Sequence, residues 1–174
     1  MSFNCTLSQG AVLGCQTIGG VERVYLGNWE QISAFTQDAC GIITGLTPTV
    51  ALTAYTFETD IEMVGLTQEG SFSRENGTAF FDTNLNIRLV DLDCNKRNTL
   101  VEIARAPMFA VIVANSGTVF YAGIETAGRA SAGTASLGQA LGDFNGVELT
   151  INWKSANGVY VLDSALVGTT ITII

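Results

Sequence analysis

The densest run of potential ligands in this chain is Asp91-x-Asp93-x-Asn95, with Glu102 eleven residues after Asp91. Oxygen ligands at positions 1, 3, 5 and 12 are what an EF-hand calcium loop supplies. Position 6 of such a loop must be glycine for its sharp turn. Here it is Lys96, and Arg97 adds a second cation where Ca²⁺ would sit. A strand end followed by a helix capped at Asp93 accounts for the same letters, and that reading is preferred.

Catalysis has less to work with. The chain holds no histidine, which removes the commonest general base and the Ser-His and Cys-His pairs. No G-x-S-x-G surrounds Ser131 or Ser136, and no Gly-Lys-Ser/Thr phosphate loop occurs. Glu58 and Asp60 have the chemistry of a glycosidase carboxylate pair, but acids on an open strand face are more often simply solvated. Asn4-Cys5-Thr6 and Asn76-Gly77-Thr78 are glycosylation sequons, irrelevant without secretion. Cys5, Cys15, Cys40 and Cys94 show no C-x-x-C pair, so they read as reduced, small apolar side chains. A Cys5–Cys15 bridge stays open under oxidising conditions. The expectation is a non-enzyme with no catalytic residue, metal or cofactor.

The elements that carry these residues are alternating strands. In residues 55–64, Tyr55, Phe57, Ile61 and Met63 fall on one face and Thr56, Glu58, Asp60 and Glu62 on the other. In residues 80–90, Phe81, Leu85, Ile87 and Leu89 oppose Asp82, Asn84, Asn86 and Arg88. In residues 147–153, Val147, Leu149, Ile151 and Trp153 oppose Glu148, Thr150 and Asn152. Side chains alternate faces along a strand, so these are half-buried antiparallel strands with one wet, mildly acidic surface. Such a surface, without a reactive constellation, suits architecture better than catalysis.

A chain of 174 residues is read as one domain, 1–174, able to bury about 70% of its unfolded surface without staples. Charged residues make up only 14%, which hints that neighbours cover much of the surface. A net charge of −8 argues against the usual basic nucleic-acid interface, but not against nucleic acid passing nearby, since like charge repels DNA and prevents it sticking. Residues 1–10 hold no basic residue and no long apolar run, so neither a secretory signal nor a membrane span is expected. Residues 1–20 read as an extended arm or edge strand.

Along the chain, strands are expected over 21–27, 41–46, 52–64, 66–74 and 78–90, with one helical turn near 29–32 and a bend at Gly65. Asn76-Gly77 marks a hairpin. The one convincing helix is 95–105, stopped by Pro107. Residues 108–114 are continuously apolar, the mark of a strand buried on both faces, and Asn115-Ser116-Gly117 turns them back into 118–124. The small-residue segment 125–142 is read as a flexible Gly-rich loop that gains order against a neighbouring subunit. Asn157-Gly158 is read as a second hairpin, into 159–163, and 169–174 as a final strand.

In this order — long amphipathic strands with polar segments at 56–58 and 71–75, a single mid-chain helix, the apolar hairpin 108–124, then Gly142-Asp143-Phe144-Asn145-Gly146 leading into 147–153 — the layout resembles the phage major tail tube protein family, which includes the type VI secretion tube proteins. The resemblance spans about residues 21–153. It implies a mainly β fold, an antiparallel β-sandwich or barrel with one flanking α-helix. It further implies a structural virion protein, assembled in the host cytoplasm, whose hexameric rings join sheets into an inner barrel and stack as a conduit for DNA. Partners would be further copies of the chain, with tail sheath, tape-measure, neck and baseplate proteins. Glu58, Asp60, Glu62, Asp82 and Glu148 would be the lumen-facing acids, with Arg88 the opposing charge. A tail terminator or neck ring, or a carbohydrate-binding β-sandwich of an appendage, are the alternatives. The last would require a row of exposed aromatic rings, and Trp29 and Trp153 do not supply one.

Overall fold

The structure, a computed structural model, describes residues 18–174 apart from Ile61 and Leu92. Period-two strands around a wholly apolar one can bury themselves only in layers, and two sheets result. Twelve strands are described: β1 (Val21–Asn28), β2 (Ile32–Gln37), β3 (Ile43–Pro48), β4 (Leu52–Phe57), β5 (Val64–Ser73), β6 (Thr78–Val90), β7 (Met108–Ala114), β8 (Val119–Ala122), β9 (Arg129–Ser136), β10 (Gly146–Ser155), β11 (Tyr160–Leu162) and β12 (Ile171–Ile173). One α-helix, α1 (Cys94–Ile103), lies between β6 and β7. The larger sheet has eight strands in the order β12-β4-β1-β7-β8-β11-β3-β2, and the smaller has four, β5-β6-β10-β9. The fold is thus mainly β, a sandwich with one curled sheet and, among the described residues, a single α-helix, as the sequence leads one to expect.

The eight-stranded sheet is buried on both sides at its centre. In β1 and β7, Tyr25, Phe109 and Val111 face the concave side with Ile43, Leu52, Ala54, Tyr121 and Leu162. Their neighbours Val24, Leu26, Ala110 and Ile112 face the four-stranded sheet and meet Leu85, Ile87, Leu149, Ile151 and Trp153. The unbroken apolar run of residues 108–114 has this cause: alternate side chains serve two different cores. Trp153 locks the layers together. Its indole Nε1 donates to the Met108 carbonyl at 3.1 Å, and its ring lies against Gly128, where an added Cβ would come within 2.1 Å of Nε1.

Several expectations hold in detail. Asp93 caps α1, its carboxylate accepting from the Lys96 amide at 2.7 Å. Gly77 takes φ 63° in the hairpin joining β5 and β6, and Gly117 takes φ 84° between β7 and β8. Trp29–Gln31 forms the expected short turn.

Others are corrected. No strand runs through 55–64: β4 ends at Phe57 and pairs in the large sheet, while β5 starts at Val64 in the small one. The chain changes layer in between, with Glu62 at φ 65°, and Gly65 is an ordinary strand position opposite Asn86. Tyr55 does not share its face with the buried residues of β4, which are Leu52 and Ala54. Segment 125–142 is not simply a loop, because β9 pairs with β10 across residues 129–136. Nor is Asn157-Gly158 a hairpin. It carries the chain from β10 in one sheet to β11 in the other. Cys40 and Cys94 are exposed free thiols rather than small core residues. Cys5, Cys15 and the arm expected over 1–20 lie outside the described residues, except for 18–20.

Truncating the locking ring, Trp153→Ala, leaves a cavity between the sheets and is expected to cost about 3–5 kcal/mol of stability. Urea unfolding at neutral pH measures it. A loss under 1 kcal/mol would show that the layers are held elsewhere.

Candidate functional surface

The four-stranded sheet turns its apolar side chains inward, so register alone fixes what its outer face presents. Across β5, β6 and β10, Glu69, Asp82 and Lys154 form one row; Thr67, Asn84 and Asn152 the next, continued by Arg129 of β9; then Gly65, Asn86, Thr150 and Ala132; then Arg88, Glu148 and Thr134. These side chains bond to one another. Asn152 Nδ2 donates to Asn84 Oδ1 at 2.8 Å and also to Asp82 Oδ1. Thr150 Oγ1 and Asn86 Oδ1 are 2.8 Å apart. Arg88 donates through Nε to Glu148 Oε1 at 2.6 Å and lies 4.5 Å from the centroid of the Phe144 ring. Lys154 Nζ stands 3.7 Å from Asp82 Oδ2. Two rings reach this face, Phe80 at the hairpin end and Phe144 under Arg88, too far apart to form a row for stacking on sugars.

The five acids read from the sequence therefore do not form one strip. Asp82 and Glu148 share the outer face, each with a cationic partner. Glu58, Asp60 and Glu62 sit on the segment that passes from one sheet to the other. By register the outer face carries Glu69, Asp82 and Glu148 against Arg88, Arg129 and Lys154. Its local charge is balanced, and the excess of acid lies elsewhere on the molecule. A polyanion over such a wall meets neither a basic patch nor a strongly repelling one, and Asn84, Asn86, Thr150 and Asn152 at its centre already bond to one another in pairs.

The edges of the two sheets differ. The large sheet ends in β12, three residues long, and in β2, whose pairing with β3 is interrupted by two register shifts. Short and bulged edges are how sheets avoid pairing with other molecules. Among the described residues, the small sheet ends in β5, ten residues in unbroken register with β6, and in β9, eight residues whose pairing with β10 carries one register shift. Each bears a single charge, Glu69 or Arg129, and neither contains proline or lysine. The outward backbone of β5 thus has almost none of the usual protection, and that of β9 has a single bulge. Sequence reasoning missed β9 because Ala, Ser, Thr and Gly alternate with no hydropathy contrast. The pairing signal lay instead in the regular strand β10 beside it.

Glu125 gathers the corner by which the chain passes from β10 to β11. Its carboxylate accepts from the Ala156 amide at 2.8 Å, from the Tyr160 hydroxyl at 2.6 Å and from Asn157. Partial burial pushes the Glu125 pKa up, but the hydrogen bonds from Tyr160, Asn157 and the two backbone amides outweigh it and hold it below its ordinary 4.5. Burial first, and then the bond to Glu125, raise the Tyr160 pKa. The calcium-like acids have other geometry: Asp93 is the helix cap, Asp91 has φ 64°, and among the described residues no three acidic or cysteine side chains converge. No protein family, characterised protein or solved structure matches the chain.

A carboxylate whose pKa is depressed on folding stabilises the fold above its unfolded pKa, and that contribution is lost as pH falls through the folded one. Between pH 7 and pH 3, wild type is expected to lose more stability than Glu125→Gln, so the two melting curves converge on acidification. Thermal melts at several pH values measure this. Parallel losses would mean that the Glu125 network contributes nothing.

Proposed function

We propose that this chain is the subunit of a virus tail tube, closing through the edges of its four-stranded sheet into hexameric rings that stack as a conduit for DNA. The observation that carries the reading is the pair of long edges, β5 unbroken and β9 with a single bulge, on a sheet whose outer face is polar, internally bonded and free of net charge. β5 and β10 run one way, β6 and β9 the other. A copy related by rotation about a ring axis therefore brings its β5 antiparallel to β9 of its neighbour. An even number of alternating strands lets identical subunits continue the sheet without reversing one of them, and a closed ring leaves no edge. Barrels of about 16–18 strands already enclose a water-filled channel, and six four-stranded sheets exceed that. The lumen wall would be the face of Asn84, Asn86, Thr150 and Asn152, over which DNA slides for want of anything to grip.

Electron microscopy of the purified chain tests the assembly. Rings or tubes with a central lumen are expected, whereas a monodisperse monomer at all concentrations and salts overturns the reading. Single rings that never stack would identify a terminator or neck component instead. The wall has its own test. Asp82→Lys combined with Glu148→Lys leaves its cations unpaired, so assemblies carrying both are expected to retain duplex DNA at 50 mM salt and lose it steeply towards 200 mM, where wild type retains none. Unchanged DNA retention in the substituted assemblies would show that this face does not line the channel.

A further inference from the structure

Resting on that reading, the geometry points to a second contact in the ring: the loop after β9 of one copy inserts Leu137 and Leu141 into an apolar cleft beside β5 of the next. The cleft has a volume of about 660 Å³ and lies between α1 and the convex side of the large sheet. Tyr55, Phe57, Leu89, Ile103 and Met108 supply its apolar lining, with Glu58 and Lys96 at the rim. It exists because β5 is too short. Val64, the first residue of β5, stands opposite Ile87, while β6 continues to Val90. Leu89 is therefore left without a strand neighbour on that side, and Tyr55 is half exposed where β4 would otherwise be covered.

The occupant follows from topology. Ser136 at the end of β9 lies in one row with Gly146 and Val90, so β9 ends at the same end of the sheet at which β5 begins. Antiparallel pairing of β9 with the neighbour's β5 sets the loop that follows Ser136 beside the segment that precedes Val64. That segment follows Phe57 and Glu58 and borders the cleft. The loop has the matching chemistry. Leu141 is fully exposed and Leu137 is 72% exposed, and neither has a place in either core of its own subunit. It is also held in shape. The Asp143 carboxylate accepts from the Gln139 amide at 2.9 Å and the Ala140 amide at 2.8 Å, and Gly138 at φ 72° packs on Asp143. A loop fixed in advance loses less entropy on docking. The two leucines thus behave as an anchor offered to a neighbour, and the cleft is the apolar receptor that the same ring closure brings to them.

The test uses the full chain with Cys5, Cys15, Cys40 and Cys94 replaced by serine, carrying Tyr55→Cys and Leu141→Cys together. Mild oxidation of assembled protein is expected to give a ladder of cross-linked multimers ending at the ring size, with none from either single cysteine. Rings seen by microscopy that yield no cross-link overturn this contact and leave the tube reading standing; absence of rings from the unsubstituted chain removes both. Leu141→Asp provides an independent readout, since Leu141 packs on nothing in its own subunit. Its melting temperature at low concentration should match wild type, while the concentration for half assembly rises about tenfold or more. An unchanged assembly midpoint would also overturn the contact.

Discussion

Backbone left unpaired, among the described residues, at the two ends of the four-stranded sheet is the constraint from which the rest follows. A strand edge exposes a row of amide and carbonyl groups that water satisfies, but that another strand satisfies with added packing. The large sheet avoids that outcome by ending in a three-residue strand and a bulged one. The small sheet has no such device along ten residues of β5. A chain that protects both ends of one sheet and leaves β5 of the other unbroken has, on the proposed function, a direction in which to grow.

The two-layer construction makes that growth possible without loss of the subunit's own order. β1 and β7 are buried on both sides, so the curled sheet has a core independent of the small sheet's outer face. Trp153 and Glu125 then fix where the small sheet sits, one by filling the space beside Gly128 and bonding to Met108, the other by gathering the amides at the sheet-crossing corner. The outer face is consequently free of structural duty and available to be smooth. Its smoothness is chemical: Asn84 with Asn152 and Asn86 with Thr150 bond across strands, and Asp82 and Glu148 each face a cation. In the proposed tube, passage by local neutrality would replace the passage by repulsion that the sequence pattern alone suggests.

What was legible in the sequence followed hydropathy contrast. β6 and β10 alternate large apolar and polar residues, β7 is apolar throughout, and Asp93, Asn76-Gly77 and Asn115-Ser116-Gly117 carry local capping and turn chemistry; all these elements form as expected. Where contrast vanished or context intervened, legibility ended. β9 is built of small residues and becomes a strand because β10 offers it a ladder. The alternation from Tyr55 to Met63 is real but is cut by a change of layer, which a periodic pattern does not register, and the acids Glu58, Asp60 and Glu62 are removed from the sheet by that cut. Charge pairing was equally hidden. Arg88 meets Glu148 and Lys154 meets Asp82 through cross-strand register, which only the partner strands fix.

The central claim concerns edges, and amide hydrogen exchange reads edges directly. In native particles, the amides of β5 and β9 that point away from β6 and β10 are expected to exchange as slowly as those of the central pair β6 and β10, and to become fast when the particles are dissociated to protomers. If those edge amides exchange at loop rates in the intact particle, no neighbouring strand completes the sheet, and the account fails at its foundation.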